Sequence, residues 1–165
     1  MRFNVVDRIT EWQVGKSLKG VKLLTLAEEY LADHFPSFPV MPGVLMLEAL
    51  VEASAWLWRL TSGFEHSVIV LREAKNVKYG AFMEPGRAME LSVEWIKQSE
   101  NLTTFRGKGN VEGGAQTVSA QVTLIAYNVR DKNPSAHAVD ERLVAHFKER
   151  FAWLSGSLMG NTQRQ

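Results

Sequence analysis

Cysteine is absent from the 165-residue sequence, and neither sign of charge is in excess. Without cysteine the chain has no disulfide framework, no thiolate metal site and no thiol nucleophile, which suits a reducing compartment. The 19 basic and 18 acidic residues leave a formal net charge of +1. Proteins that bind a phosphate backbone carry a cationic excess, so this balance argues against nucleic acid as a partner.

The sequence also lacks a hydrophobic run long enough to cross a membrane. Charges at Arg2, Asp7 and Arg8 interrupt the segment in which a signal peptide needs its apolar core. The length fits a single domain, and 45% hydrophobic with 22% charged residues is typical of a globular protein. We therefore expect a soluble, cytoplasmic protein with no membrane span.

Hydrophobic periodicity predicts strands, then one long helix, then more strands. Two β-compatible runs within residues 5–26 predict a strand pair. From Pro42 no glycine beyond Gly43 and no proline interrupts the chain before Gly63, which predicts a buried helix of roughly 18 to 20 residues. Four β-rich segments separated by turn residues then predict an antiparallel meander, at residues 66–74, 88–98, 102–111 and 116–128. The combination predicts an α+β fold in which the sheet wraps the helix.

The end of the chain has a different pattern. A polar segment that contains one proline, at residues 128–138, precedes apolar residues at helical spacing, which predicts an amphipathic helix. Its charged face mixes both signs, so we expect docking on its own domain or on a sister subunit rather than on a membrane. We expect one domain over residues 1–130, followed by a linker and the terminal helix over 131–165.

Three residues between positions 34 and 48 carry groups suited to acid–base chemistry. Histidine as a residue type has an unperturbed pKa near 6.5, so a neutral imidazole such as that of His34 is able to accept a proton at physiological pH. Glu48 lies among apolar helix residues, where lost hydration should raise the pKa of its carboxyl and make it a general acid. Gly43, near the helix start, offers an unblocked backbone N–H to an anionic oxygen. Structural alternatives stay open: a histidine that only supports the fold, a turn glycine, and a glutamate that pairs with a buried base or reaches a wet edge.

The segment from His34 to Leu50, HFPSFPVMPGVLMLEAL, closely resembles the signature of the FabZ-type 3-hydroxyacyl-acyl-carrier-protein dehydratases. In that family a histidine opens HFP, a glycine follows the second proline motif, and a glutamate lies fourteen residues after the histidine. His34, Gly43 and Glu48 match all three positions. The likeness covers roughly residues 5–128. The related FabA branch carries aspartate at the acid position, so Glu48 favours FabZ.

This resemblance implies a hotdog fold and a homodimer, with a higher oligomer left open, and no metal or redox cofactor. The implied reaction converts a (3R)-hydroxyacyl thioester, carried by an acyl carrier protein, to a trans-2-enoyl thioester in fatty-acid or related acyl-chain biosynthesis. In this hypothesis His34 removes the C2 proton, the N–H of Gly43 polarises the thioester carbonyl, and Glu48 helps the 3-hydroxyl leave as water. The resemblance also implies that His34 of one chain faces Glu48 of the other.

The sequence departs from the family pattern in the helix. Glu52 stands where the family usually has glutamine, four residues after Glu48, so repulsion between two carboxylates on one face should raise the pKa of either. Alternatively, Glu52 reaches solvent or a basic partner. Trp56 and Trp58 add bulk that either narrows an acyl tunnel or packs in the core. The terminal helix is outside the family signature.

Two questions of partner and activity stay open at this point. Lys75, Lys78 and Arg87 are candidates for a basic patch that binds an acidic carrier protein, although ordinary solvated charges explain them equally well. Glu52, Trp56 and the extra helix also fit a catalytically weak hotdog protein that binds acyl chains. A hotdog thioesterase is a further alternative, but the intact HFP and the spacing from His34 to Glu48 argue against it.

Overall fold

The computed structural model describes residues 4–157, which form an α+β structure. We number its strands and long helices in chain order. Their bounds are β1 Arg8–Gln13, β2 Ser17–Leu23, α1 Gly43–Thr61, β3 Val68–Tyr79, β4 Ala88–Ser99, β5 Leu102–Val111, β6 Gln116–Tyr127 and α2 His137–Leu154. Short 3-10 turns lie at Glu29–Ala32, Val129–Asp131 and Pro134–Ala136. The predicted strand pair, the helix after Pro42 and the terminal helix are confirmed.

One antiparallel sheet holds all the described strands, in the order β1-β2-β4-β5-β6-β3. β4, β5 and β6 are hairpin neighbours, as the meander predicts. For β3 the predicted meander is wrong, because β3 pairs with β6 and not with β4. β2 and β5 already occupy both edges of β4, so residues 80–87 form a crossover rather than a hairpin turn. This topology leaves β3 at an edge of the sheet.

Helix α1 forms the centre of the core. It begins directly after Pro42, runs for 19 residues, and ends before Gly63, whose φ of +63° suits glycine. Its sheet-facing residues are at most 4% exposed and comprise Met46, Ala49, Leu50, Ala53 and Leu57. The alternating apolar residues of β4 and β6 cover them from the sheet side; these are Met89, Leu91, Val93, Val118, Val122 and Leu124. The predicted buried helix wrapped by a sheet is confirmed.

Helix α2 docks on the C-terminal half of α1, as expected for an amphipathic helix on its own domain. The ring centroids of Phe147 and Phe151 lie 5.8 and 6.3 Å from that of Trp56, and Leu154 is 5% exposed. Trp56 is therefore buried between α1 and α2. Trp58 belongs to the core on another side of α1, where its ring is 6.2 Å from that of Trp95.

A buried carboxylate fixes the start of α2. Asp140 accepts hydrogen bonds from the hydroxyl of Ser67 and from the backbone N–H groups of Val129 and Arg130, the latter two at 2.8 and 3.1 Å. Burial raises the pKa of Asp140, but these hydrogen bonds outweigh it and hold the pKa below the usual range. The carboxylate therefore ties α2 both to the segment before β3 and to the linker after β6.

No helix within residues 4–157 is both long enough and apolar enough to cross a bilayer. The division of the chain at residue 130 stays a prediction. Residues 158–165, the end of the predicted extension, lie outside the described part of the chain.

Candidate active site

The loop that carries His34 is closed by backbone hydrogen bonds. Val40 N–H donates to the carbonyl of His34 at 3.0 Å, and inside this pair Phe35 and Phe38 exchange two further backbone bonds at 3.2 and 3.0 Å. Met41 N–H then donates to the carbonyl of Met83 at 2.9 Å, which attaches the loop to the crossover between β3 and β4. The loop therefore presents His34 from a fixed backbone immediately before α1.

A single hydrogen bond sets the tautomer of His34. Its Nδ1 lies 3.1 Å from the carbonyl oxygen of Val40. Because a carbonyl oxygen only accepts, Nδ1 carries the proton and donates, and Nε2 keeps its lone pair in the neutral ring. The imidazole also stacks on the ring of Phe35, with centroids 4.4 Å apart. In the neutral ring the free lone pair is therefore on Nε2, which is the nitrogen able to accept a proton.

Gly43 occupies the first position of α1 against an aromatic ring. The first N–H groups of a helix have no intrahelical acceptor, so the N–H of Gly43 is available to a ligand oxygen. A Cβ at residue 43 would lie 2.9 to 3.2 Å from three ring carbons of Tyr79, the last residue of β3. A side chain at residue 43 would therefore have to displace this exposed ring. Tyr79 is the site residue that the sequence analysis missed, since no local pattern connects it with Gly43.

Glu48 lies on the face of α1 that is turned away from the sheet. Its side chain is exposed in the isolated chain but lines a cleft with apolar neighbours, among them Val51, Val70 and Leu71. Partial burial, followed by the charge of Glu52, raises the pKa of Glu48 above that of an ordinary glutamate. The predicted direction of the shift is therefore confirmed, and a raised pKa favours the proton that a general acid needs.

Glu52 has partners that neither sequence alternative named. Its Oε2 accepts hydrogen bonds from the backbone N–H groups of Val5 and Val6, at 2.6 and 3.1 Å. Its Oε1 accepts one from the indole N–H of Trp56 at 3.4 Å. The carboxylate thus anchors the segment before β1 to α1, while it also acts electrostatically on Glu48.

The structure brings only part of the predicted site together within one chain. His34 and Gly43 flank the turn into α1, but no hydrogen bond or ion pair joins His34 to Glu48 within residues 4–157, and His34 does not line the cleft that holds Glu48. In the same range no three His, Cys, Asp or Glu side chains are grouped as metal ligands. Of the three candidate carrier contacts, Lys75 is exposed and pairs with Glu73 at 2.9 Å, while Lys78 and Arg87 are exposed.

Comparison with known proteins identifies the family. The FabA-like domain model matches residues 1–121. The 3-hydroxyacyl-(acyl-carrier-protein) dehydratase FabZ of Janthinobacterium sp. (strain Marseille) is 33% identical over 135 residues, which is 80% of this chain and 86% of that protein. The chain belongs to the FabZ family. The FabZ of Levilactobacillus brevis is 35% identical over 127 residues, 77% of this chain and 85% of that protein. The FabZ branch that Glu48 favours over FabA is therefore confirmed.

Solved structures support the hotdog fold expected of a FabZ family member. The dehydratase heterocomplex ApeI:P from Xenorhabdus doucetiae aligns with a TM-score of 0.65 at 12% identity, over 81% of this chain and 90% of that one. At this identity the likeness concerns the fold alone. The expected hotdog fold, a long helix wrapped by an antiparallel sheet, is confirmed.

Proposed function

We propose that this FabZ family member dehydrates (3R)-hydroxyacyl thioesters to trans-2-enoyl thioesters. The observation that carries the proposal is the orientation of His34, whose Nδ1–H donates to the carbonyl of Val40 and leaves Nε2 as a base at the start of α1. Gly43 and Glu48 on the same helix supply the anion site and the acid. FabZ relatives that cover most of the chain support the same reaction.

The first half of the reaction is removal of a proton next to the thioester. Nε2 of His34 takes the proton from C2, and the electron pair of that C–H bond moves toward the thioester carbonyl, whose oxygen gains negative charge. The N–H of Gly43 donates to this oxygen at the helix start, where the helix dipole adds to the stabilisation. Because the C2 proton is only weakly acidic, this stabilisation is needed where the charge forms.

The second half breaks the bond between C3 and its hydroxyl oxygen. Glu48 donates its proton to the departing hydroxyl, the C2–C3 double bond forms, and water leaves. His34 ends protonated and Glu48 ionised, and exchange with solvent restores both. The raised pKa of Glu48 supports this role because it keeps more of the carboxyl protonated at neutral pH than an ordinary glutamate would be.

A homodimer completes the proposed site. Within one chain no hydrogen bond or ion pair joins His34 to Glu48, and two features next to Glu48 suit a second copy. β3 is an edge strand, whose unpaired backbone groups are a template for another strand. Val44, Val70 and Leu71, on α1 and β3, are 68%, 43% and 40% exposed in the isolated chain. Pairing of two β3 strands would cover these side chains and place Glu48 of each chain at the interface.

The physiological substrate in this proposal is linked to an acyl carrier protein in the cytoplasm. FabZ relatives are named for such substrates. Because acyl carrier proteins are acidic, exposed cations near the end of β3 are suitable contacts, and Lys78 is adjacent to Tyr79, which packs on Gly43. Arg87 follows on the crossover to β4, whereas the ammonium of Lys75 already pairs with Glu73.

A thioester assay tests the proposed activity directly. Purified protein is incubated with 3-hydroxyacyl thioesters of several chain lengths, and enoyl absorbance is followed together with free-thiol release. We expect enoyl product without thiol. Thiol release would indicate a thioesterase, and neither product at any chain length would indicate a protein that only binds acyl chains.

A further inference from the structure

The cleft that contains Glu48 continues along α1 to a buried arginine. It has a volume of about 370 Å³ and follows one helix face from Glu48 past Glu52 to Arg59. Val70 and Leu71 of β3 and Phe147 of α2 form its other walls. Arg59 lies eleven residues after Glu48, about 16 Å along the helix axis. A chain that has its reacting end at Glu48 therefore has Arg59 near its far end.

Arg59 is a buried cationic residue in the last turn of α1. The side chain is 6% exposed, and its Nε has no acceptor among the described residues. No acidic oxygen within residues 4–157 lies within 4.0 Å of its guanidinium, although Glu52 acts on it at longer range. Burial lowers the pKa of Arg59 to about 10, and the negative charge of Glu52 partly offsets this decrease. The guanidinium is therefore a cation at neutral pH. A buried donor left unpaired in this way is costly unless a ligand satisfies it.

The extra helix holds the guanidinium in place. Its central carbon lies 3.8 Å from the ring centroid of Phe147 in α2 and 5.4 Å from that of Trp56 in α1. These cation–π contacts satisfy the faces of the guanidinium but not its N–H groups, which point in the plane of the group. Aromatic stacking thus fixes the position of the guanidinium, while its N–H groups can still donate hydrogen bonds to a ligand.

We propose that Arg59 binds an oxygen atom at the far end of the acyl chain, so that the enzyme prefers 3-hydroxyacyl thioesters ending in a carboxylate or hydroxyl group to those ending in methyl. This proposal rests on the proposed dehydratase function and specifies its substrate class. An oxygen acceptor pairs with the N–H groups of Arg59. A methyl end leaves them unpaired, and a site that donates hydrogen bonds discriminates strongly against a ligand that lacks the acceptor.

A set of three ten-carbon substrates tests the preference. The thioesters of 3-hydroxydecanoate, 3,10-dihydroxydecanoate and 3-hydroxysebacate differ only in their far end, which is methyl, hydroxyl or carboxylate. For the unmodified protein we expect kcat/KM for at least one oxygenated chain to exceed that for the methyl chain by roughly tenfold or more. The hydroxyl and carboxylate arms separate a neutral acceptor from an anionic one. Equal values, or a preference for the methyl chain, would overturn the proposal.

A substitution assigns the preference to Arg59. Arg59→Met keeps an unbranched side chain without donors, and we expect it to remove the preference by lowering kcat/KM for the oxygenated chains toward the value for the methyl chain. Arg106→Met, at an exposed position of β5, is the matched control and should keep the preference. A change that only disturbs the packing of α2 would slow all three substrates alike, and this outcome would contradict a role in recognition.

Direct binding separates this proposal from the dehydratase function. Decanoate, 10-hydroxydecanoate and sebacate are titrated into the unmodified protein and into Arg59→Met, and heat or intrinsic tryptophan fluorescence is measured. If no thioester is dehydrated, the proposed function fails, and tighter binding of an oxygenated chain that depends on Arg59 still supports the inference. Binding that does not differ among the three chains would overturn it.

Discussion

Glu52 lies one turn of α1 beyond Glu48, and its negative charge adds to the effect of partial burial in raising the pKa of Glu48. The two carboxylates differ in their partners. Glu52 accepts hydrogen bonds from the N–H groups of Val5, Val6 and Trp56, whereas Glu48 lies in a cleft beside the side chains of Val51, Val70 and Leu71. Hydrogen-bond donors therefore stabilise the ionised form of Glu52, whereas the raised pKa of Glu48 favours its protonated form. This difference suits a structural role for Glu52 and the proposed role of Glu48 as an acid.

The first prediction concerns this pair. In Glu52→Gln the repulsion is removed, so the pKa of Glu48 falls toward its ordinary value. On the alkaline side of the profile the rate of the proposed reaction follows the fraction of Glu48 that is still protonated. We therefore expect kcat/KM to fall on the alkaline side of the pH profile, by less than in Glu48→Gln. The measurement is a profile of kcat/KM against pH.

Glu90→Gln is the control for this experiment, since it removes the same charge from an exposed position of β4. Its profile should match that of the unmodified protein. An alkaline limb in Glu52→Gln that stays in place or rises would contradict the electrostatic coupling of Glu52 to Glu48.

The second prediction concerns the contact between Gly43 and Tyr79. In Gly43→Ala the new Cβ lies 2.9 to 3.2 Å from ring carbons of Tyr79 unless the ring moves, and it also crowds the N–H that we propose as the donor to the thioester oxygen. We expect kcat/KM to fall on the order of 10²-fold, the size of effect seen when a reacting group is displaced by about 1 Å. Stability should change by no more than about 1 kcal/mol, because alanine suits a helix better than glycine.

The double variant Gly43→Ala/Tyr79→Ala distinguishes the two causes. If displacement of the ring is responsible, removal of the ring restores part of the rate relative to Gly43→Ala. Unchanged turnover in Gly43→Ala itself would show that neither the ring contact nor the N–H of residue 43 matters to the reaction.

The third prediction concerns the anchor of α2. Asp140→Asn weakens the hydrogen bonds that Ser67, Val129 and Arg130 donate, so the thermal midpoint should fall by several degrees at neutral pH. The pKa of Asp140 is lower in the folded protein than in the unfolded chain, where it is near 3.9. The ionised carboxylate therefore stabilises the fold fully above the unfolded-state pKa, and this stabilisation is lost as the pH falls through the folded-state pKa. The difference between the two proteins should therefore shrink below about pH 4.

Thermal unfolding followed by circular dichroism across this range measures the effect. Glu141→Gln, at the neighbouring exposed position of α2, should leave the midpoint nearly unchanged. A loss of stability in Asp140→Asn that is constant down to the most acidic pH would contradict a contribution from the ionised carboxylate.

Local sequence patterns predicted most of the helices and strands, because the formation of each one depends mainly on the residues within it. Proline at the start of α1, glycine after its end and alternation in β4 and β6 all act over a few positions. The pairing of β3 with β6 depends instead on which strand edges remain free after the whole sheet forms. No hydrophobic period contains that information, and the meander that follows from local turns was wrong at this strand.

The site divides in the same way. His34, Gly43 and Glu48 are recognisable because they share one continuous segment. Tyr79 and the donors to Glu52 at Val5 and Val6 approach the site only through tertiary contacts, the latter across 46 to 47 residues. Likewise, an arginine in the second half of an apolar helix does not reveal that Phe147 from the terminal helix will stack on it.

The last prediction concerns the shared site. His34→Ala and Glu48→Gln should each lower kcat by about 10²-fold to 10⁴-fold, since each removes one group of the proposed proton transfer, and both variants should still form the proposed dimer. If His34 of one chain works with Glu48 of the other, a mixed dimer of the two variants has one fully intact site and one doubly defective site. Random mixing of co-expressed chains makes half of the dimers mixed, so about a quarter of the unmodified activity should return. Two differently tagged chains allow the mixed dimer to be purified and assayed alone, where half the activity is expected. If both groups act within one chain, every site in the mixture carries a defect and no activity returns, an outcome that would exclude the interface site while leaving the chemistry of His34 and Glu48 intact.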